Sequence, residues 1–206
     1  MTAETSIRFR SGAIDLAGRL ASVPNAALGC VVCHPHPLYG GDMESSVVVA
    51  ISQALAGAGV STLRFDFRGA GASGGVHGGG IPEIDDARAA VDALAAATGL
   101  SRIAVAGYSF GGFVAMNLAA TDDRICAVAA VSPPIAMPGF ELTASIAAPM
   151  LLVAGDRDSY CPVHKLSQFA AGDDRAKTII LTGADHFFAG REGEVARVVS
   201  DFLSNS

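Results

Sequence analysis

The serine at position 109 has the sequence surroundings of a catalytic nucleophile. It lies at the centre of Gly-Tyr-Ser-Phe-Gly, residues 107–111, with an apolar run before it and a helix-like segment after it. This Gly-x-Ser-x-Gly pattern predicts a buried strand that turns sharply into a helix and exposes Ser109 at the turn. A serine hydroxyl attacks a carbonyl carbon well only when a base takes its proton, so we look for a histidine, an acid and oxyanion donors. The alternative is an ordinary turn in which Ser109 caps the helix.

For the base, the best candidate is His186, which follows a late apolar run. A loop that leaves the carboxyl end of a strand would bring its imidazole above the sheet, beside Ser109, where it can accept the hydroxyl proton. The alternative is a loop histidine without chemistry. We expect His77, in a glycine-rich stretch, to lie at the rim or surface, and His164, at a helix start, to be solvated.

The acid that orients the histidine should lie between Ser109 and His186 in the chain. The segment Gly-Asp-Arg-Asp, residues 155–158, offers two aspartates. Asp156 follows a strand directly and suits a turn-forming side chain, whereas Asp158 lies farther out, where the loop can fold back. We therefore predict Asp158 as the acid and assign a loop role to Asp185, which adjoins His186.

Two backbone N–H groups should bind the oxyanion, and Phe110, directly after the nucleophile, supplies one of them. The other is expected from the loop His-Pro-His-Pro-Leu, residues 34–38. Pro35 and Pro37 have no N–H, which leaves His36 as the predicted donor, with Leu38 behind it. The prolines would also stiffen the loop.

Residues close to these positions in the sequence are candidates for lining the substrate pocket. Two histidines among them are weaker candidates for binding a metal. Leu38, Tyr39 and Tyr108 are the candidates for the pocket, with simple packing as the alternative for Tyr39. His34 and His36 are two nitrogen ligands, but no Cys, Asp or Glu cluster near them completes a metal site. We therefore predict no metal and no cofactor.

The pattern of the chain predicts an α/β fold with the site at the carboxyl ends of the strands. Two alternating segments, 5–10 and 13–22, predict an antiparallel hairpin. Apolar runs separated by helix-length segments then predict a mostly parallel sheet of about eight strands in all, covered by helices on both faces. The connection between 131 and 150 is too short for a cap domain. The predicted strands are 29–33, 61–65, 103–106, 125–131, 150–154 and 178–181, and the predicted helices are 44–56, 83–97, 110–120, 163–171 and 192–203.

Length, composition and charge bound the function classes. With 206 residues, half of them apolar, the chain suits a single domain over 1–206. The net charge is −6 and no Lys/Arg cluster occurs, so we expect no nucleic-acid partner. No segment predicts a signal peptide or a membrane span, and the four cysteines suggest reduced thiols, so we expect a cytoplasmic protein with a small-molecule partner. The sequence does not determine the oligomeric state, and a homodimer is one alternative.

Together these motifs resemble the α/β-hydrolase superfamily from His34 to His186. The segments His-Pro-His-Pro-Leu-Tyr-Gly-Gly, Phe-Asp-Phe-Arg-Gly-Ala-Gly and Gly-Tyr-Ser-Phe-Gly-Gly are similar to those of small lidless bacterial hydrolases related to dienelactone hydrolase. The resemblance implies a Ser109–His186–Asp158 triad and esterase-type activity, with a short-chain ester or thioester as the expected substrate. The cysteine nucleophile of dienelactone hydrolases proper is replaced by serine.

Three other functions are weighed as alternatives. The string Gly-Ala-Gly-Ala-Ser-Gly, residues 69–74, matches a dinucleotide-binding fingerprint, but no helix begins within it. An acyltransferase with the same triad, or a hydrolase-fold protein that only binds, is also consistent with the sequence.

Overall fold

A computed structural model describes residues 2–140, 142 and 144–206, and its centre is one eight-stranded sheet. The spatial order of the strands is β1-β2-β4-β3-β5-β6-β7-β8. The strands are β1 (Thr5–Ser11), β2 (Ile14–Ala21), β3 (Gly29–Cys33), β4 (Ser61–Phe65), β5 (Ile103–Tyr108), β6 (Ile125–Val131), β7 (Met150–Gly155) and β8 (Ala176–Leu181). The helices are α1 (Ser46–Gly57), α2 (Ile81–Thr98), α3 (Phe110–Thr121), α4 (Val163–Ala170) and α5 (Glu192–Ser204).

The sheet is antiparallel at its first edge and parallel elsewhere, as predicted. Strand β1 pairs with β2, and β2 pairs with β4, in antiparallel register. From β4 onward every neighbouring pair is parallel. The carboxyl ends of the parallel strands therefore meet at one edge, where the loops that follow them can share a site.

Helices cover both faces of the sheet because the central strands are apolar on both sides. All residues of β3, β4, β5 and β7 are buried. Helices α2, α3 and α4 contribute to the core on one face, and α1 and α5 to the core on the other. This arrangement confirms the predicted α/β-hydrolase fold. No helix in the described ranges is both long and apolar enough to cross a bilayer.

The connection from β6 to β7 is short, as expected for a chain without a cap domain. Its described residues contain neither helix nor strand. Pro133 and Pro134 begin this connection, and the chain returns to the sheet at Met150.

The first turn of α2 differs from the prediction. The helix begins at Ile81, two residues before the expected start. Pro82 lies in its first turn, where the missing N–H of proline is tolerated. The Glu83 carboxylate accepts hydrogen bonds from the backbone N–H of Gly80 at 2.7 Å and of Gly78 at 2.6 Å. A buried carboxylate thus caps the helix from inside, which the glycine-rich sequence before it concealed.

The glycine-rich segment after β4 is a loop folded around charged side chains. The Asp66 carboxylate accepts hydrogen bonds from the N–H groups of Met43, at 2.9 Å, and Ala72, at 3.1 Å. Arg68 forms an ion pair with Asp86 of α2 at 2.6 Å. Gly71 lies so close to Asp66 that a β-carbon would fall 2.1 Å from the carboxylate oxygen. The segment therefore has a structural explanation that involves no nucleotide phosphate.

His34 joins the ends of β3 and β4. Its ring is fully buried, and its Nε2 accepts a hydrogen bond from the Phe67 N–H at 3.0 Å. Because an amide can only donate, Nδ1 carries the ring proton and donates it to the Pro35 carbonyl at 2.6 Å. Burial lowers the pKa of His34 to about 4, so the neutral ring is the form that the fold holds.

We expect His34 to make the protein less stable as the pH falls from 6.5 to 4. In that range the unfolded chain binds a proton at His34 and the folded chain does not, so the free energy of unfolding drops by about 1.4 kcal/mol per pH unit from this residue. The measurement is urea unfolding from pH 7.5 to 4.5. His34→Gln should unfold more easily at pH 7.5 but show a shallower pH dependence. His164→Gln, at an exposed histidine, is the control, and an equal slope in all three proteins would contradict the assignment.

Candidate functional site

Ser109 occupies a strained turn between β5 and α3. Its φ is 55° and its ψ −120°, in a region that side chains rarely adopt. Two glycines make this turn possible. A β-carbon on Gly107 would lie 2.0 Å from the Gly111 carbonyl oxygen, and one on Gly111 would lie 2.3 Å from the Cys33 carbonyl oxygen. The Ser109 N–H donates to the Val131 carbonyl at 2.8 Å, which holds the turn against β6.

The structure brings His186 to Ser109. The imidazole Nε2 and the Ser109 hydroxyl oxygen are 3.0 Å apart, and only 8% of His186 is exposed. The Tyr108 hydroxyl donates a hydrogen bond to the His186 carbonyl at 2.9 Å. Tyr108 itself is 6% exposed and packs against Phe188 in the core. Its prediction as a pocket residue is therefore wrong, because the side chain lies beneath the histidine loop and supports it.

Asp158 completes a hydrogen-bonded chain of three side chains. Its Oδ2 lies 2.9 Å from His186 Nδ1, and its Oδ1 accepts hydrogen bonds from the N–H groups of Tyr160, at 2.8 Å, and Cys161, at 2.9 Å. The residue is 4% exposed. Asp156 instead accepts the Gly183 N–H at 2.7 Å, and Asp185 accepts the Phe187 N–H at 3.0 Å, so both have the loop roles expected of them.

The surroundings of Asp158 keep it ionised. Burial by itself would raise the pKa of this carboxyl, but the hydrogen bonds from His186 and from the Cys161 amide outweigh it, and the pKa lies below its usual value. A carboxylate against Nδ1 fixes the tautomer in which Nδ1 carries the proton, since the ring nitrogen must donate there. Nε2 then has a free lone pair that faces the Ser109 hydroxyl.

The loops that carry Asp158 and His186 are also joined directly to each other. The Arg157 N–H donates to the Ala184 carbonyl at 3.0 Å. A β-carbon on Gly155 would lie 2.1 Å from the same carbonyl oxygen, so only glycine permits this approach. The sequence shows a glycine at the end of β7 but not the close contact that requires it.

Two backbone N–H groups are the candidates for binding an oxyanion. Phe110 is the first residue of α3, and His36 precedes a 3₁₀ turn at Pro37–Tyr39. Within the described ranges, neither N–H group has a hydrogen-bond partner. The Leu38 N–H, by contrast, donates to His36 Nδ1 at 3.2 Å and is not available. The role of His36 and Phe110 as oxyanion donors remains a prediction that this geometry permits.

His77, expected at the rim or surface, lies against the candidate oxyanion residues. Only 10% of its side chain is exposed, so it is not a surface residue. Its ring packs against the rings of His36 and Phe110, at centroid distances of 4.6 and 5.4 Å. The flexible-looking glycines on either side of His77 gave no sign of this burial.

The mouth of the site is open and apolar. Leu38 and Tyr39, two of the predicted pocket residues, are 70% and 84% exposed. Tyr160 and Phe187, 42% and 64% exposed, pack against the His186 ring at centroid distances of 4.7 and 5.6 Å. These side chains come from the loops after β3, β7 and β8, the loops that also carry His36, Asp158 and His186, and they form what we call the apolar rim.

The predicted alternative of a metal at His34 and His36 does not fit these contacts. Both ring nitrogens of His34 take part in hydrogen bonds to the backbone. In residues 2–140, 142 and 144–206, no group of three or more His, Cys, Asp or Glu side chains is arranged to hold a metal ion.

The arrangement suits a nucleophilic attack by the Ser109 oxygen. The imidazole can take the hydroxyl proton, Asp158 can stabilise the resulting imidazolium, and the free N–H groups can bind negative charge on a carbonyl oxygen. These groups follow four different strands, β3, β5, β7 and β8, and the sheet brings the ends of those strands to one edge.

Comparisons with known proteins identify relatives of the chain. A family model described as "Alpha/beta hydrolase domain" matches residues 36–198. An uncharacterized protein of Rickettsia prowazekii (strain Madrid E) is 34% identical over 194 residues, which cover 89% of this chain and 81% of that protein.

Solved structures resemble the whole chain. An alpha-beta serine hydrolase homologue from Coxiella burnetii superposes with a TM-score of 0.89 at 30% identity, covering 98% of each chain. A serine hydrolase without a lid from Xanthomonas campestris has a TM-score of 0.88 at 23% identity, covering 100% of this chain and 95% of its own. The second likeness is one of fold.

If Asp158 orients His186, Asp158→Asn should make Ser109 far less reactive. The amide can present its NH₂ group to the ring and favour the wrong tautomer, which costs about 10⁴-fold in a comparable triad. The measurement is the rate at which a fluorophosphonate probe labels Ser109. Asp156→Asn, which keeps an oxygen acceptor for Gly183, is the matched control and should react at the parental rate. Equal rates for the two variants would assign the acid elsewhere.

Proposed function

The chain belongs to the alpha/beta hydrolase domain family, and from this premise we propose that it is a serine esterase that hydrolyses carboxylic esters with short acyl chains. The observation that carries the proposal is the continuous chain from Asp158 through His186 to Ser109, with separations of 2.9 and 3.0 Å. Such a chain is the arrangement that activates a serine for acyl transfer.

In the proposed first half of the reaction, His186 Nε2 accepts the proton of Ser109 while the serine oxygen attacks the ester carbonyl carbon. The carbonyl oxygen becomes negatively charged and receives hydrogen bonds from the N–H groups of His36 and Phe110. The imidazolium then gives its proton to the alcohol oxygen as the carbon–oxygen bond breaks. The alcohol leaves, and Ser109 carries the acyl group.

In the second half, water replaces the alcohol. His186 removes a proton from the water as its oxygen attacks the acyl-enzyme, the same two N–H groups bind the oxyanion, and the proton passes to Ser109 as the acid departs. Asp158 remains a carboxylate throughout, because its lowered pKa keeps it ionised beside the imidazolium. No co-reactant other than water is needed.

An apolar cavity near the start of α3 is the place where we propose that a small acyl group binds. An apolar cavity of about 260 Å³ lies beside the first turns of α3 and is lined by Phe113, Pro133, Ile135, Phe140 and Phe169, among others. The ring of Phe140 packs against that of Phe113, at 5.1 Å. We assign the acyl chain to this cavity and the leaving group to the open apolar rim.

Ser109→Ala should abolish ester hydrolysis. Without the oxygen nucleophile, turnover of nitrophenyl acetate should fall by about a million-fold, towards the small residual rate that oxyanion donors alone provide. The measurement is kcat of purified protein, with folding checked by circular dichroism. Ser167→Ala, at an exposed serine on α4, is the control and should leave kcat unchanged. Parental activity in Ser109→Ala would refute the proposed nucleophile.

Acyl chain length should affect kcat/KM only until the cavity is filled. Each buried methylene contributes about 0.8 kcal/mol, so kcat/KM should rise about fourfold per methylene from acetate to butyrate and fall for palmitate. Nitrophenyl esters from acetate to palmitate provide the measurement. Ile135→Phe should reduce the cavity and lower the rate with hexanoate more than with acetate. A flat profile would place the acyl chain outside the cavity.

The alternative function is thioester hydrolysis or acyl transfer by the same triad. The wide mouth favours neither leaving group, so acyl-CoA substrates of matched chain length belong in the same screen. A kcat/KM for butyryl-CoA well above that for nitrophenyl butyrate would identify a thioesterase. An acyl acceptor that lowers the yield of free acid would identify a transferase.

A further inference from the structure

Three rings form a cluster behind the predicted oxyanion site. They belong to His36, His77 and Phe110, and we call them the ring clamp. The centroids are 4.9 Å apart between His36 and Phe110, 4.6 Å between His36 and His77, and 5.4 Å between His77 and Phe110. Each ring therefore contacts both of the others. His36 and His77 come from the loops after β3 and β4, and Phe110 begins α3 after β5.

Two members of the ring clamp are the residues whose N–H groups have no hydrogen-bond partner in the described ranges. His36 and Phe110 are the proposed oxyanion donors, and their side chains meet directly. The third ring supplies no N–H to the oxyanion, and the mechanism does not use it. The His77 ring nevertheless packs against the rings of both donor residues, so it can fix the distance between them.

A buried carboxylate lies behind His77. Glu83 Oε1 is 3.1 Å from His77 Nδ1, but this nitrogen has no hydrogen-bond partner among the described residues, so the ring is placed by packing. The same carboxylate accepts the N–H groups of Gly78 and Gly80, on the chain that follows His77. Gly80 in turn lies against the ring of Phe113, so that a β-carbon there would come within 3.0 Å of it. The loop 77–80 is thus fastened to the first turn of α2 and rests on α3.

From these contacts we infer that His77 is a positioning residue for the oxyanion site: it holds the His36 loop and the start of α3 at the separation that lets both N–H groups reach one oxygen. This inference rests on the proposed function. A donor contributes only if it is aimed where charge develops in the transition state, and the site gains little from a donor that must first reorient. A displacement of about 1 Å can cost about a hundredfold in rate.

The alternative explanation is that His77 only fills space in the core. Packing and positioning make different predictions, because an oxyanion donor acts more strongly on the transition state than on the bound ester. Loss of positioning should lower kcat with little change in KM, whereas loss of packing should lower thermal stability and leave kcat of the folded fraction alone.

The test compares His77→Ala with His77→Phe, which restores a ring of similar size. We expect His77→Ala to lower kcat for nitrophenyl acetate by about ten- to a hundredfold, with KM within about twofold of the parent. Binding of an alkyl boronic acid, which forms a tetrahedral adduct with Ser109, should weaken by a similar factor. His77→Phe should recover most of both losses. His164→Ala, at an exposed histidine, is the control and should match the parent.

The outcomes separate this inference from the proposed function. A folded His77→Ala protein with parental kcat and boronate affinity would overturn the inference, and so would a His77→Phe protein as slow as His77→Ala. If His77→Ala does not fold, His77→Leu takes its place. Comparing His77→Phe with His77→Leu again compares a side chain that has a ring with one that has none. If the parent hydrolyses no ester, the proposed function fails, but the labelling rate of Ser109 by a fluorophosphonate, which also needs the oxyanion donors, still tests His77.

Discussion

Backbone segments approach one another at the carboxyl edge of the sheet more closely than any β-carbon would allow, and the site depends on this crowding. Gly107 and Gly111 bring the turn at Ser109 against itself and against the end of β3. Gly155 does the same where the end of β7 meets the loop after β8. Each glycine removes a side chain at a point where two loops must touch, so distances of hydrogen-bond length between residues far apart in the chain become accessible.

Burial then strengthens the hydrogen bonds that these short distances allow. Asp158 and His186 are 4% and 8% exposed, so water competes little for their hydrogen bond, and each polar atom of the pair has a partner within the protein. The carboxylate would be costly to bury alone, but the Tyr160 and Cys161 N–H groups and the imidazole stabilise its charge. A pre-formed, dry hydrogen-bonded chain does not have to reorganise when the serine reacts.

The sequence predicted the fold and most of the site because the relevant signals are local. The apolar runs identified the strands, and the string around Ser109 identified the turn. The choice of Asp158 over Asp156 agrees with the hydrogen bonds, since the turn chemistry at a strand end follows from adjacent residues.

What the sequence did not reveal depends on contacts between distant segments. His77 and Glu83 lie near a run of glycines that looks like a flexible loop, and only the packing against His36 and Phe110 shows that the loop is fixed. Tyr108 was misplaced for a similar reason: being next to Ser109 in sequence does not tell which side of the sheet its ring covers. The early start of α2 likewise requires knowing that the Glu83 carboxylate turns back to bind the N–H of Gly80.

The loops that carry Asp158 and His186 are linked directly, and this link decides which parts of the site depend on residue 109. The contact of Gly155 and Arg157 with the Ala184 carbonyl holds the acid and base together without any contribution from residue 109. Replacing the side chain at 109 removes none of these contacts. The acid and the base are therefore positioned independently of the attacking atom, and a different nucleophile at 109 would face the same imidazole.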